Sequence, residues 1–171
     1  METPISSPAP TYTPTVKAIT IGFLKIDVFS IEEGKYLNIH TTSSSECIKA
    51  TGGMKFVVLG IRIENVGSRD LTSDELSRNP PFKDLVLVTN TGRDYRYSSI
   101  PASSYIVPAP QNECIENNAI LINLAGMKTF HVLKPGECLE GPMPFVVLQN
   151  EVPSELQFVK DGWTVATISL R

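Results

Sequence analysis

The chain has 171 residues, of which 42% are apolar and 19% charged, and its formal net charge is −3. This composition argues against a disordered chain, and the slightly acidic balance argues against a dedicated nucleic-acid binder, which carries a basic patch. No apolar run approaches the roughly 20 residues that a membrane-spanning helix needs. Two histidines and three cysteines leave too few ligands for most metal and catalytic sites.

The first fifteen residues differ from the rest, because METPISSPAPTYTPT is dominated by proline, threonine and serine. The segment lacks the basic start and the apolar core of a signal peptide. It cannot bury enough surface to offset its ordering entropy, so we expect a flexible linker over 1–15 and one domain over 16–171. Such tethers are common beside membrane anchors; an upstream anchor and an ordinary flexible terminus are both open hypotheses.

From residue 16 onward, short runs rich in Val, Ile, Thr, Phe and Tyr alternate with proline and glycine. The pattern predicts an antiparallel all-β sandwich or barrel of about eight or nine strands, without the strand–helix alternation of a parallel sheet. Residues 54–64 form the clearest strand and are apolar on both faces in their first half, which predicts a central position. Within 16–29 the apolar face changes between Phe23 and Leu24, directly after Gly22, which predicts a bulge.

Turn and cap signals divide the remaining segments. Thr72 and Glu75 fit a capping box, so we expect one short helical turn near 72–78, stopped by the prolines that follow Asn79. Gly92 and the Asp161-Gly162 pair predict hairpin turns, and Pro135-Gly136 occupies the centre of a predicted type II turn. Residues 98–118 form a long proline-rich stretch, and a loop of that length is usually functional or disordered.

The order of these signals resembles the DUF4352 group of secreted and cell-surface domains, which is related to the mycobacterial MPT63-type protein. The resemblance rests on Gly53, the 56–59 run, Asn65, Gly92, Tyr95, Leu133, Pro135, Gly136, Glu137, Gly141, Phe145, Pro153, Leu156 and Phe158. It covers roughly residues 17 to 170 and implies an immunoglobulin-like sandwich outside the cytoplasm. It supplies no catalytic residues to carry over. The 98–118 stretch is longer and richer in proline than the family pattern.

The three cysteines, Cys47, Cys114 and Cys138, form no C-x-x-C pair. An extracytoplasmic location favours one disulfide and one spare thiol. The turn at 134–138 and the loop entering strand 54–64 are expected at the same end of the sandwich, which favours a Cys47–Cys138 bridge with Cys114 free. Three reduced thiols that behave as small, partly buried apolar groups remain the alternative.

A metal site finds little support in the sequence. A blue-copper centre needs two imidazoles and a thiolate in one plane, yet no histidine lies between Cys138 and Met143. His40 and His131 fall on the polar faces of their strands and are not at zinc spacing. The acidic cluster at 70–75 could hold calcium but has no EF-hand spacing. We therefore expect no cofactor.

Catalytic motifs are also missing from the sequence. Gly-x-Ser-x-Gly is absent, no phosphate-binding glycine loop opens a helix, and the paired carboxylates Glu32-Glu33 and Asp74-Glu75 are sequence neighbours rather than partners across a cleft. We expect that the protein is not an enzyme.

The remaining candidate site is the surface of the 98–118 stretch. Ile100, Tyr105, Ile106 and Val107 lie among prolines that stiffen the chain, so they could bind a partner with little ordering cost. The opposing hypothesis is that this stretch folds back over an open end of the sandwich.

Together these observations predict a non-catalytic, extracytoplasmic interaction module whose partner is a protein at the cell surface. We expect no nucleic-acid partner, and membrane attachment only through an anchor outside this chain. A structural or spacer domain of the cell envelope is the alternative function, and a metal-handling sandwich is a third. The sequence does not specify an oligomeric state.

Overall fold

A computed structural model describes residues 18–78, 85–97, 104–125 and 132–171. The predicted linker over 1–15 and the predicted proline stop after Asn79 lie outside these ranges. The strands are β1 Ile19–Ile21, β2 Leu24–Gly34, β3 Tyr36–His40, β4 Ser45–Ala50, β5 Met54–Asn65, β6 Leu71–Thr72, β7 Leu85–Thr89, β8 Asp94–Arg96, β9 Ile106–Pro108, β10 Ile120–Asn123, β11 Val132–Leu133, β12 Cys138–Leu148, β13 Pro153–Lys160 and β14 Trp163–Ser169. The helices are α1 Ser73–Arg78 and α2 Gln111–Glu116.

The chain is a β-sandwich, as the sequence predicted. A central sheet has the strand order β1-β2-β5-β12, a back sheet β14-β13-β7-β8 and a front sheet β10-β3-β4-β9, and β11 and β6 form a small ribbon. The described ranges contain fourteen strands, more than the eight or nine expected, because the predicted 16–29 strand divides into β1 and β2 and because β4, β6 and β9 lie in segments not predicted as strands. Pairing is antiparallel except between β10 and β3. None of the described helices has the length and apolar character to cross a membrane.

β5 is the centre of the molecule and contributes to two apolar clusters. Val57, Leu59 and Ile61 face the back sheet, where the back cluster also includes Phe145 and Phe158. The alternate residues Met54, Phe56 and Val58 face the front sheet and form the front cluster with Leu37, Ile48, Ala50, Ile120 and Ile122. Because side chains alternate across a strand, apolar character on both faces places β5 in a middle layer, as predicted.

The change of face near Gly22 is a turn, and the predicted bulge at that position is wrong. β1 and β2 form a hairpin in which Ile21 lies opposite Leu24, so Gly22 and Phe23 are the two loop residues. Gly22 has φ +59°, the positive value needed at the first loop position of a II′ turn. The bulge of this region lies further along β2, at the register shift between Val28 and Ser30.

The predicted helix cap is confirmed. The amide of Thr72 donates to Glu75 Oε2 at 2.9 Å, and the amide of Glu75 donates to Thr72 Oγ1 at 3.2 Å. These hydrogen bonds fix the start of α1. The helix α2 was not predicted, because its six residues follow Pro110 without a side-chain cap.

Three predicted turns are also present. Gly92 has φ +76° within the β7–β8 hairpin, and the last hairpin turns at Asp161 and Gly162, both with positive φ. In the predicted type II turn, Gly136 has φ +79° and the amide of Glu137 donates to the carbonyl of Lys134 at 3.0 Å. Each turn matches the conformation that its glycine permits.

Candidate functional site: the outer face of the front sheet

A buried disulfide joins Cys47 of β4 to Cys114 of α2, with 6.0 Å between the two Cα atoms. Both residues are buried, beneath the helix and against Tyr36. The bridge fixes α2 on the outer face of the front sheet. Gln111 strengthens the attachment, because its amide group donates to Asn38 Oδ1 at 2.9 Å and to Ser45 Oγ at 3.1 Å.

The expected Cys47–Cys138 bridge is therefore wrong, and Cys138 is an exposed free thiol. The turn at 134–137 was expected at the end of the central sheet where β5 begins, but it lies at the end where β5 finishes. Cys138 lies opposite Glu64, whereas Met54 at the start of β5 lies opposite Leu148. Ten residues of strand, or about 34 Å, separate these two ends, and a disulfide requires Cα atoms about 6 Å apart.

A polar cluster continues the contact between α2 and the front sheet. The hydroxyl of Tyr36 donates to Glu113 Oε2 at 3.1 Å, and Lys49 Nζ lies 3.5 Å from the same oxygen. Lys49 Nζ also lies 5.2 Å from the centre of the Tyr36 ring. The hydroxyl of Tyr36, followed by the Glu113 carboxylate, raises the pKa of Lys49 above its usual value. The cluster holds the helix at a defined position on the sheet.

The stretch predicted as a long loop is largely regular structure where it is described. β9 pairs with β4, and Thr51 binds the carbonyl of Tyr105 through both its amide and its hydroxyl. The side chains of Tyr105 and Val107 are exposed on the outer face, whereas Ile106 packs inward against the front cluster. Ile106 is therefore an incorrect choice for a contact residue, and Ile100 lies outside the described residues.

Two exposed apolar residues on this surface were missed by sequence reasoning. Ile115 of α2 is 72% exposed and Leu121 of β10 is 57% exposed. Ile115 lies in the helix that was not predicted, and Leu121 lies in a four-residue strand whose alternation is too short to separate an outer from an inner face. Together with Tyr105 and Val107 they define what we call the front surface.

Two buried polar residues connect segments that are distant in the sequence. Asn65, at the end of β5, donates to the carbonyls of Arg69 and Leu133 at 2.8 and 2.9 Å and accepts from the amide of Gly67 at 2.9 Å. Its backbone pairs with the turn residues Gly136 and Glu137. One asparagine thus joins the end of β5 to the segment at 67–69 and to the 133–137 turn segment.

The second residue is Glu151, whose carboxylate accepts hydrogen bonds from Thr89, Thr91 and Tyr95 at 2.8–2.9 Å. Burial alone raises its pKa, but these three donors and the nearby Arg93 guanidinium outweigh burial and hold the pKa of Glu151 below its usual value. Burial, followed by the bond to Glu151, raises the pKa of Tyr95. The network connects the β7–β8 hairpin to the turn before β13.

The residues weighed as metal ligands are not brought together. His40 lies on the front sheet beside Ser45, whereas Met143 of β12 packs against the back cluster, on the other side of the central sheet. His131 lies outside the described residues. Within the described ranges, no group of three or more His, Cys, Asp and Glu side chains is arranged to hold a metal ion. In the acidic 70–75 cluster, Glu75 already binds the amide of Thr72 and the guanidinium of Arg69.

A small apolar pocket lies beside β12 and is lined in part by Ile61, Ile63, Leu139 and Met143. Its volume is about 160 Å³, below the roughly 300 Å³ at which ligand sites begin. The exposed side chains of the front surface, rather than this pocket, form the candidate site.

Comparison with known protein families finds no match to this chain, and comparison with curated proteins finds none either. Among solved structures, a conserved hypothetical protein from Bacillus anthracis is similar, with a TM-score of 0.59 and 16% identity over 98% of this chain and all of that one. An uncharacterized β-sandwich protein from Clostridium difficile 630 gives a TM-score of 0.43 and 13% identity over 85% of each chain. At such identities the first likeness supports the fold alone.

Proposed function

We propose that this protein is a non-catalytic, extracytoplasmic interaction domain of the DUF4352 type that binds a protein partner through the front surface. The observation that carries the proposal is the attachment of residues 104–118 to the front sheet by the buried Cys47–Cys114 bridge. Protein disulfides form and persist mainly in oxidising compartments, which supports a location outside the cytoplasm.

The bridge also bears on binding. A surface that is already fixed loses little conformational entropy when a partner arrives, so more of the contact energy appears as affinity. Tyr105, Val107 and Ile115 project from this fixed segment, and an aromatic residue among aliphatic ones is a common composition for the centre of a protein interface.

The experiment is affinity capture from the cell envelope with the oxidised protein as bait, followed by a binding titration with the partner identified. We expect Ile115→Glu to weaken the titrated affinity at least about tenfold, because it places a charge in the centre of the contact. Val152→Ala, an exposed apolar position outside the front surface, is the matched control and should bind like the unmodified chain.

Two outcomes contradict the proposal. Equal affinity of Ile115→Glu and the unmodified chain would remove the front surface as the contact. Failure to capture any partner would favour the alternative function, a spacer domain of the envelope. The compartment is tested separately by mass spectrometry of alkylated, unreduced protein from cells. One reacting thiol is expected, and three would contradict an oxidising location.

A further inference from the structure

The β14 edge of the back sheet has no strand partner among the described residues and has an unusual composition. β14 pairs with β13 and with no other strand of the described chain, although the three-residue β1 approaches it from the central sheet. Its seven residues, WTVATIS, include no charged residue, proline or glycine. Trp163 is 78% exposed and Val165 is 51% exposed. An uncharged strand of high β-propensity at a sheet edge is a template for another strand.

The other described edges are protected or short. β12 has Pro142 and Pro144 on its free side, where their missing amides remove two donors. The free part of β2 carries Asp27 and Glu32, and β8 and β9 have only three residues each. β10 is uncharged but has four residues. Among the described edges, β14 is therefore the longest without a charge or a proline.

The backbone register identifies which groups of β14 are free. The amide of Leu170 donates to the carbonyl of Ser154, so residues 166, 168 and 170 point their backbone groups towards β13. The amides and carbonyls of Thr167 and Ser169 therefore point outward. A bulge between β13 and β14 leaves Val165 opposite no residue of β13, so the regular part of the edge is centred near Thr167.

We propose that this edge pairs antiparallel with β14 of a second copy of the chain, around a two-fold axis at Thr167. In that register the two Thr167 residues exchange both backbone hydrogen bonds, and the two back sheets become one eight-stranded sheet. If Val165 is left out of the register as the extra residue of the bulge, Trp163 lies opposite Leu170 of the second copy. Both side chains are then on the face of the sheet that covers the core.

The distribution of charge favours a second copy of the chain as the partner of β14 and favours antiparallel pairing. Self-pairing of β14 opposes no like charges, since the strand has none. The antiparallel direction brings Arg171 beside the turn that holds Asp161, whereas a parallel direction would place Arg171 against Arg171. The linker segment 1–15 of the same chain is a poor alternative, because its four prolines lack the amides that a pairing strand must donate.

The test combines sedimentation equilibrium with the emission of Trp163, the one tryptophan in the sequence. The unmodified chain should change from 18.8 kDa to twice that mass as its concentration rises. The emission should shift to shorter wavelength over the same concentration range, because pairing covers the indole. Thr167→Lys places two ammonium groups against each other across the axis and should raise the dissociation constant at least about tenfold.

Two further variants make the result decisive. Thr167→Pro removes an outward amide while retaining every bond to β13, and should give a monomer that melts cooperatively. Leu121→Lys, on the open edge of β10, is the matched control and should dimerise like the unmodified chain. A mass that stays at 18.8 kDa up to a protein concentration of about 1 mM would overturn the proposal. This holds even if some other extended chain binds the β14 edge. So would a dimer that Leu121→Lys disrupts and Thr167→Lys does not.

This inference is independent of the front surface. The back and front sheets lie on opposite faces of the central sheet, so either surface can fail its test while the other stands.

Discussion

The two faces of the central sheet are covered in different ways. Within the described ranges the back cluster contains nineteen buried apolar residues, which pack against one another. Among the described residues the front cluster contains eight, and the front sheet that covers it carries on its outer face a six-residue helix fixed by a disulfide. Apolar burial supplies roughly 25 cal/mol per Å², so the smaller cluster gains less from packing. We therefore expect the disulfide to contribute more to the stability of the front layer than to that of the back layer.

The largest effect should come from the back cluster. Phe158→Ala removes a ring that is 1% exposed, and the cavity left behind should lower the free energy of unfolding by about 3–5 kcal/mol. Denaturant unfolding measures the loss, with Val165→Ala as a control that should change little. A loss below about 1 kcal/mol would show that packing is not what holds the back layer.

Breaking the disulfide should have the next largest effect. Cys47→Ala with Cys114→Ala should cost about 2–4 kcal/mol, because the open chain gains conformational freedom over a separation of 67 residues. Hydrogen exchange should increase at residues 104–118 and in the front sheet, while the back sheet keeps its protection. Cys138→Ala is the control and should be neutral. Faster exchange throughout the molecule would contradict the division into two layers.

Asn65→Ala should cost about 2–3 kcal/mol, because it leaves the carbonyl of Leu133 and the amide of Gly67 without their partner. The loss belongs to the back layer, since Leu133 is part of that cluster. Asn90→Ala, which removes one exposed hydrogen bond to the amide of Val152, should cost less and is the comparison to measure. Equal losses would show that Asn65 does not connect the three segments energetically.

The smallest effect is a pH dependence from Glu151. Its folded-state pKa lies below the ordinary value of 4.5, so its contribution to stability is complete above that value and is lost as the pH falls through the folded-state pKa. Glu151→Gln should flatten the acid limb of a plot of unfolding free energy against pH. Glu46→Gln, at an exposed position, should leave the limb unchanged. If Glu151→Gln leaves the acid limb of the plot unaltered, the loss of stability at low pH comes from other groups.

Local signals in the sequence predicted the local structure well. Three predictions depend on residues within a few positions of one another, and all are confirmed. They are the capping box at Thr72, the turn at Gly136 and the central position of β5, which is apolar on both faces. Gly22 shows the limit of such reasoning, because a bulge and a tight hairpin both invert the alternation of side chains. Only the return of β2 alongside β1 distinguishes them.

The candidate site was less predictable. Tyr105 and Val107 are exposed as expected, but Ile106 faces inward because β9 joins the front sheet, and pairing with β4 decides which side each residue takes. Ile115 and Leu121 became part of the front surface only through the positions of α2 and β10.

The sequence by itself determined that the chain is built from short antiparallel strands, where three of its turns lie, and that β5 is central, since these properties follow from hydrophobic periodicity and from the backbone freedom of glycine. The tertiary structure alone decided the partner of Cys47, the exposed edge of β14 and the buried partners of Glu151. The partners of Cys47 and of Glu151 are distant in the sequence, and the exposure of β14 depends on which strands join the back sheet. Register and layer order decide all three, and no local pattern encodes them.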